Sequence, residues 1–145
     1  MKSDVERARS LALELHVGQV DKAGAPYYLH PFAVADKVGS DAEKTVAYLH
    51  DTVEDGVYTI GKARQDFGDE VADALDAITR RKGEPYMDYI DRVKQNPIAR
   101  AVKVADLSEN MNLWRMRDAS PEDIDRAVYR IKSRYIPAYK RLKTE

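Results

Sequence analysis

Ala47-Tyr48-Leu49-His50-Asp51-Thr52-Val53-Glu54-Asp55 is the stretch on which the reading of this chain turns. An adjacent His-Asp pair is followed one helical turn later by an adjacent Glu-Asp pair. At 3.6 residues per turn the four ionisable side chains fall within an arc of roughly 140°, so they share one helix face. Four such groups repel, or must be desolvated, unless a cation holds them together. A divalent metal does that, since imidazole and carboxylate are its natural ligands. A solvated acidic face explains the same residues. The stretch alone leaves both readings open.

Outward from it, the chain reads as helical throughout. Ser40 with Glu43 three residues on is a capping box for the helix that carries the stretch, and Gly56 ends it. Upstream, Val5, Ala8, Leu11, Ala12 and Leu15 recur at spacings of three and four, which predicts an amphipathic helix from Ser3 to His16. Gly18 to Pro26 reads as a loop, and Pro31 opens a short helix from Phe32 to Val38. Downstream, Thr59 caps a short helix to Phe67, and Asp69 to Thr79 forms another with Val71, Leu75 and Ile78 inward. Pro85 to Gln95 and Pro97 to about Arg117 follow, each with proline at its start. Pro121 starts the last helix, whose stripe is Ile124, Val128, Ile131 and Tyr135, and Pro137 is expected to kink or break it. No stretch alternates with period two, so no strands are expected. The fold class is all-α, a bundle of seven or eight helices.

The bulk composition narrows the class. At 145 residues the expectation is one domain over residues 1–145, with 43% hydrophobic residues sufficient for a core. A net charge of −1 argues against a protein that coats nucleic acid. With no cysteine there is neither a disulfide framework nor a thiolate metal site. No apolar run approaches the ~18 residues of a membrane span, and the charged N-terminus lacks a signal core. A cytoplasmic protein is expected, of unassigned oligomeric state.

Two metal-ligand candidates lie outside the central stretch. His30 precedes Pro31, and Asp106 sits among apolar residues in Val102-Lys103-Val104-Ala105-Asp106. With His50 and Asp51 they make an N/O set suited to Mn²⁺, Fe²⁺ or Zn²⁺, with positions left for water and substrate. Each also has a structural explanation: His30 as a helix cap, Asp106 as a buried acid paired with Lys103 or Arg100. Their order is what joins them: His, then His-Asp, then a distant Asp.

That order resembles the HD superfamily of metal phosphohydrolases, and within it the hydrolase domain of RelA/SpoT proteins and the stand-alone small alarmone hydrolases. The matching residues are His16-Val17-Gly18-Gln19, Lys22, Gly24-Ala25-Pro26-Tyr27, His30-Pro31, His50 to Asp55, Phe67-Gly68 with Val71-Ala72, and Lys103 to Asp106 with Asn110. The resemblance implies His30, His50, Asp51 and Asp106 as metal ligands, with manganese the usual ion. It implies Glu54 and Asp55 as the catalytic acidic pair that works on the attacking water. Lys22, Lys103 and Asn110 would bind substrate phosphate or ribose, while Arg80, Arg81 and Lys82 need no function at a helix C-terminus. Tyr129, Tyr135 and Tyr139 are expected as core or rim residues, and His16 and Trp114 as structural.

The activity implied is removal of the 3′-pyrophosphate from guanosine tetra- or pentaphosphate, in a chain too short for the synthetase and regulatory domains of long RelA/SpoT proteins. Two positions depart from the pattern. The family's Arg-Lys before Pro-Tyr is Asp21-Lys22 here, and its Asp-Arg-Leu-His-Asn is Asp106-Leu107-Ser108-Glu109-Asn110. An aspartate cannot stack on a base as a guanidinium does. Asp21 therefore keeps open a second substrate, NADPH or a nucleoside monophosphate. A catalytically silent nucleotide-binding module is the remaining reading.

Overall fold

The computed structural model describes residues 2–144. Helix α3 (Asp41–Glu54) is its axis, packed against α1 (Asp4–Leu15), α2 (Leu29–Asp36), α5 (Asp69–Ile78) and α7 (Pro97–Asn110). The capping box read from Ser40 and Glu43 is present, with the Ser40 hydroxyl accepting from Glu43 N and the Glu43 carboxylate accepting from Ser40 N. Ser3 and Glu6 start α1 in the same way. Every residue of α3 from Thr45 to His50 is buried, so the helix is wrapped on nearly all sides through that stretch. Val34, Leu75, Val102 and Leu107 from the neighbouring helices are buried with it, and Ile90 and Leu142 extend the same core.

Helices α4 (Ile60–Phe67) and α6 (Tyr86–Lys94) complete this layer, α4 capped by Thr59 as expected. Arg92 ties α6 back onto α5. Its guanidinium meets Glu84 through two bonds of 2.9 and 3.0 Å and donates to the carbonyls of Asp76, Ala77 and Thr79 at the end of α5. It thereby satisfies the free C-terminal carbonyls of that helix.

The C-terminal part forms a rod of α8 (Pro121–Arg130) and α9 (Ile136–Lys143), joined without a break by a π turn at Ile131–Tyr135. Counting that rod once gives eight helices among the described residues, and the only extended pairing among them is an isolated bridge between Val20 and Pro26. Among the described residues, no helix is long and apolar enough to cross a membrane.

Three boundaries differ from the sequence expectation. Helix α2 starts at Leu29, ahead of Pro31, so proline occupies the third helical position and His30 lies inside the helix. Helix α7 stops at Asn110 because Asn112 turns extended (φ −83°, ψ 94°) and its side chain accepts from Trp114 N, starting a separate 3₁₀ turn, Leu113–Met116. Pro137 does not break the last helix. The wide π turn just before it absorbs the carbonyl that a proline ring would strike four residues back.

Candidate active site

His30 on α2, His50 and Asp51 on α3, and Asp106 on α7 converge at the centre of the fold. The ligating atoms of His30, His50 and Asp106 all lie within 4.8 Å of one another. His30 Nε2 is 2.8 Å from Asp106 Oδ1, and His50 Nε2 is 3.3 Å from the same oxygen. Asp51 reaches His50 Nε2 with Oδ1 at 3.3 Å and His30 Nε2 with Oδ2 at 3.8 Å. Both imidazoles and Asp106 are buried.

The donor chemistry of this cluster fits a cation. His50 Nδ1 is 2.6 Å from the Ala47 carbonyl, which only accepts, so Nδ1 carries the proton. Its Nε2 then presents a lone pair to two carboxylate oxygens, an arrangement that repels unless a positive charge lies between them. Burial by itself would push the His50 imidazole down, yet Asp51 and Asp106 outweigh it and hold its pKa up at about 9. Without a metal, a proton supplies the missing charge. Asp106 is pushed up by burial and pulled further down by Lys103, His30 and His50, so it stays ionised well below the usual carboxylate range.

The residues expected to bind substrate are placed unevenly. Lys103 Nζ donates to Asp106 Oδ2 at 2.9 Å, and Asn110 Nδ2 approaches Asp106 Oδ1 at 3.3 Å. Both line the adjoining cavity, but their polar atoms are turned onto Asp106. Lys22 is exposed at the cavity wall with no such engagement. Asp21 is half consumed by its own loop, where Oδ1 accepts from Ala23 N and Ala25 N at 2.9 and 3.0 Å. Glu54 and Asp55 stand one turn beyond the His-Asp pair and border the cavity. Burial raises the pKa of both carboxyls, and the Asp51 charge adds to it, while Lys103 opposes the rise at Glu54.

The cavity has a volume of about 670 Å³, within the range that holds a nucleotide-sized ligand. Asp51, Glu54, Asp55 and Asp106 give it an acidic lining, and Arg80, Arg115, Arg130 and Arg134 form a cationic part of its wall. That cationic wall is the part the sequence did not disclose. Arg80 had a sufficient explanation as a helix-end cation, and Arg81 and Lys82 indeed lie outside the cavity lining. Arg80 and Arg134 both sit over the Tyr86 ring, at 5.5 and 5.4 Å from its centroid, and the buried Tyr86 hydroxyl has no partner. Tyr135 also lines the wall, whereas Trp114 and Tyr129 are exposed, at 71% and 72%. Trp114 is therefore not a core residue. His16 is fully buried against the Tyr27 ring, its Nδ1 3.1 Å from Gln19 Oε1.

An all-α bundle that gathers His, His-Asp and a distant Asp beneath a polyanion-sized cavity defines an HD-type site. The chain belongs to the HD domain family, whose model matches residues 8–129. Among curated proteins it is 36% identical over 126 residues to a probable GTP pyrophosphokinase of Mycobacterium leprae, covering 78% of this chain and 16% of that one. It is 31% identical over 152 aligned positions to the guanosine-3′,5′-bis(diphosphate) 3′-pyrophosphohydrolase of Aquifex aeolicus, covering 96% of this chain and 21% of that one. The chain thus spans about a fifth or less of the length of these relatives. A solved structure, of a metazoan ortholog of SpoT described as hydrolyzing ppGpp, superposes with a TM-score of 0.73 at 17% identity, covering 98% of this chain and 94% of that one. At that identity the likeness establishes the shared fold.

Proposed function

We propose that the chain is a metal-dependent nucleotide phosphohydrolase that removes pyrophosphate from the 3′ position of guanosine tetra- or pentaphosphate, with Mn²⁺ as its ion. The observation that carries this reading is His50 Nε2 facing Asp51 and Asp106 at 3.3 Å each, beside a cavity that Asp51 and Asp106 line together with Arg80, Arg115, Arg130 and Arg134. His30, His50, Asp51 and Asp106 would hold the ion. When bound, the ion supplies Lewis acidity, lowering the pKa of water and polarising a phosphate oxygen.

The chain's own residues do the remainder. Glu54 and Asp55, whose carboxyl pKa values are raised chiefly by burial, take the proton of the attacking water as general bases. Lys103 holds Asp106 ionised and in place. Arg80, Arg130 and Arg134 neutralise the phosphates that are not cleaved, which keeps a highly charged substrate inside the pocket. The relatives bear two different activities in their names, but this chain matches only a small part of each. The acidic pair beside the His-Asp cluster favours hydrolysis.

Asp21 supports a second reading in which the mechanism is kept and the nucleotide differs. Its carboxylate faces the same cavity where a guanidinium would be expected to hold a guanine base. Metal analysis of the purified protein, followed by a Mn²⁺-supplemented screen of phosphorylated nucleotides, separates the two. Pyrophosphate from guanosine tetraphosphate supports the first, and inorganic phosphate from NADPH or a nucleoside monophosphate supports the second. Tight metal with no turnover of any of them supports a silent module and contradicts both.

A further inference from the structure

Among the described residues two buried side-chain polar atoms lack a hydrogen bond, His16 Nε2 and the Tyr86 hydroxyl, and of the two residues only Tyr86 lines the cavity. Folded proteins leave few such groups, because a desolvated donor that bonds to nothing costs free energy. The ring below that hydroxyl carries two cations. Arg80, which follows α5, and Arg134, in the π turn of the C-terminal rod, lie over it at 5.5 and 5.4 Å from its centroid. Arg130, just before the π turn, lines the same cavity. Among the described residues no carboxylate lies within 4.0 Å of any of these three guanidinium groups. Arg81, Arg117 and Arg126, at exposed positions, are paired with Asp76, Asp118 and Asp123.

One cation over a phenol ring is ordinary packing. Two over the same ring, with a third nearby, repel one another with no carboxylate to offset them. The groups come from three separate parts of the chain, the guanidinium groups only donate, and the hydroxyl is free to donate. Donors gathered in this way match a phosphoryl group, whose oxygens accept.

We propose that Tyr86, with Arg80 and Arg134 over its ring and Arg130 beside them, forms a second phosphate subsite that selects nucleotides phosphorylated at two positions. The metal-ligand cluster and this subsite line one cavity, so a doubly phosphorylated nucleotide fills both. A nucleoside monophosphate leaves one of them empty. None of these four residues is among those through which the chain resembles the RelA/SpoT hydrolases, so the selection belongs to this chain. The inference deepens the phosphohydrolase reading above and rests on it for the nucleotide, while anion binding at the subsite needs no metal.

The test starts from the full chain stripped of metal by chelation, with inorganic pyrophosphate as the probe in calorimetric titration. Wild type is expected to bind one pyrophosphate. Tyr86→Phe and Arg134→Gln should each weaken it about tenfold, the scale of a hydrogen bond to a charged group. Tyr86→Phe should also unfold at the wild-type temperature or above it, because it removes a buried hydroxyl that bonds to nothing. A merely structural phenol would do the reverse, lowering the unfolding temperature and leaving pyrophosphate binding as it was, which would overturn the proposal. Guanosine tetraphosphate should displace the bound pyrophosphate. Both bound together would assign the site to a free anion and overturn the proposal as well.

With Mn²⁺ restored, the readout is the ratio of kcat/KM for guanosine tetraphosphate to that for guanosine carrying only the 3′-diphosphate. Wild type should favour the first, and Tyr86→Phe should cut that preference about tenfold; an unchanged ratio would overturn the selection. The two readings fail separately. Wild type that binds no pyrophosphate overturns the subsite even if it hydrolyses the nucleotide. Wild type that binds pyrophosphate but no Mn²⁺ upholds the subsite and overturns the metal reading.

Discussion

The Tyr27 hydroxyl donates to Asp51 Oδ2 at 2.7 Å, across 24 residues of chain, and fixes how that carboxylate presents itself to the site. With Oδ2 engaged by the phenol, Oδ1 is the oxygen turned toward His50. The loop from residue 16 to residue 28 is thereby tied directly to the central helix. Burial first, and then the Asp51 charge, raise the Tyr27 phenol far above its ordinary value, so it stays a donor at any working pH. Tyr27→Phe should leave the fold intact and weaken Mn²⁺ affinity about tenfold. Calorimetric titration of the metal-free protein checks this, and an unchanged affinity would show that the phenol does not orient Asp51.

Asp106 is the most heavily engaged side chain in the protein's centre, bonded to Lys103, His30, His50 and Asn110. Asp106→Ala should abolish both metal binding and activity. It also leaves the buried Lys103 ammonium without its counter-charge, which costs about 3 to 5 kcal/mol of stability. Denaturant unfolding of the metal-free variant reads the second effect independently of the first.

Glu54 is assigned to the proton of the attacking water and not to the ion. Glu54→Gln should therefore retain Mn²⁺ with wild-type affinity and slow turnover by about 10²- to 10⁴-fold. Turnover at the wild-type rate in a metal-loaded variant would remove Glu54 from the mechanism.

The Glu84–Arg92 pair lies away from the site and gives a pH-dependent test of the fold. The Arg92 guanidinium holds the Glu84 carboxyl down at about 2, against an ordinary value of 4.5. A depressed carboxylate stabilises the folded state fully above its unfolded pKa and loses that contribution as pH falls through its folded pKa. Glu84→Gln should lower stability at pH 7 by about 1 to 2 kcal/mol, the scale of a charged hydrogen bond at a partly exposed position. The gap to wild type should close between about pH 4.5 and pH 2, as thermal unfolding across that range would register.

Much of this was legible in the sequence because it depends on local chemistry. Ser40 with Glu43, Thr59, Pro97 and Gly56 mark helix ends through local backbone and side-chain chemistry, and each appears where its residue type predicts. The four candidate ligands were readable because imidazole and carboxylate at apolar positions need a reason to be there. Arg115, Arg134 and Tyr86 carried no such signal. Their placement in the cavity wall depends on how α6, the end of α7 and the C-terminal rod pack together, which is a tertiary outcome. Asn112 ended α7 through a side-chain cap that competes with helix continuation, and Pro137 was accommodated by a π turn that no local pattern announces.

The central claim is that this site cuts a phosphate ester with a bound metal. It is tested most directly by incubating metal-free protein with guanosine tetraphosphate labelled in its 3′-terminal phosphate, with and without Mn²⁺. The account predicts labelled pyrophosphate and GDP, released only when Mn²⁺ is added and not by Asp106→Ala. Intact guanosine tetraphosphate after incubation with protein shown to be Mn²⁺-loaded would contradict it.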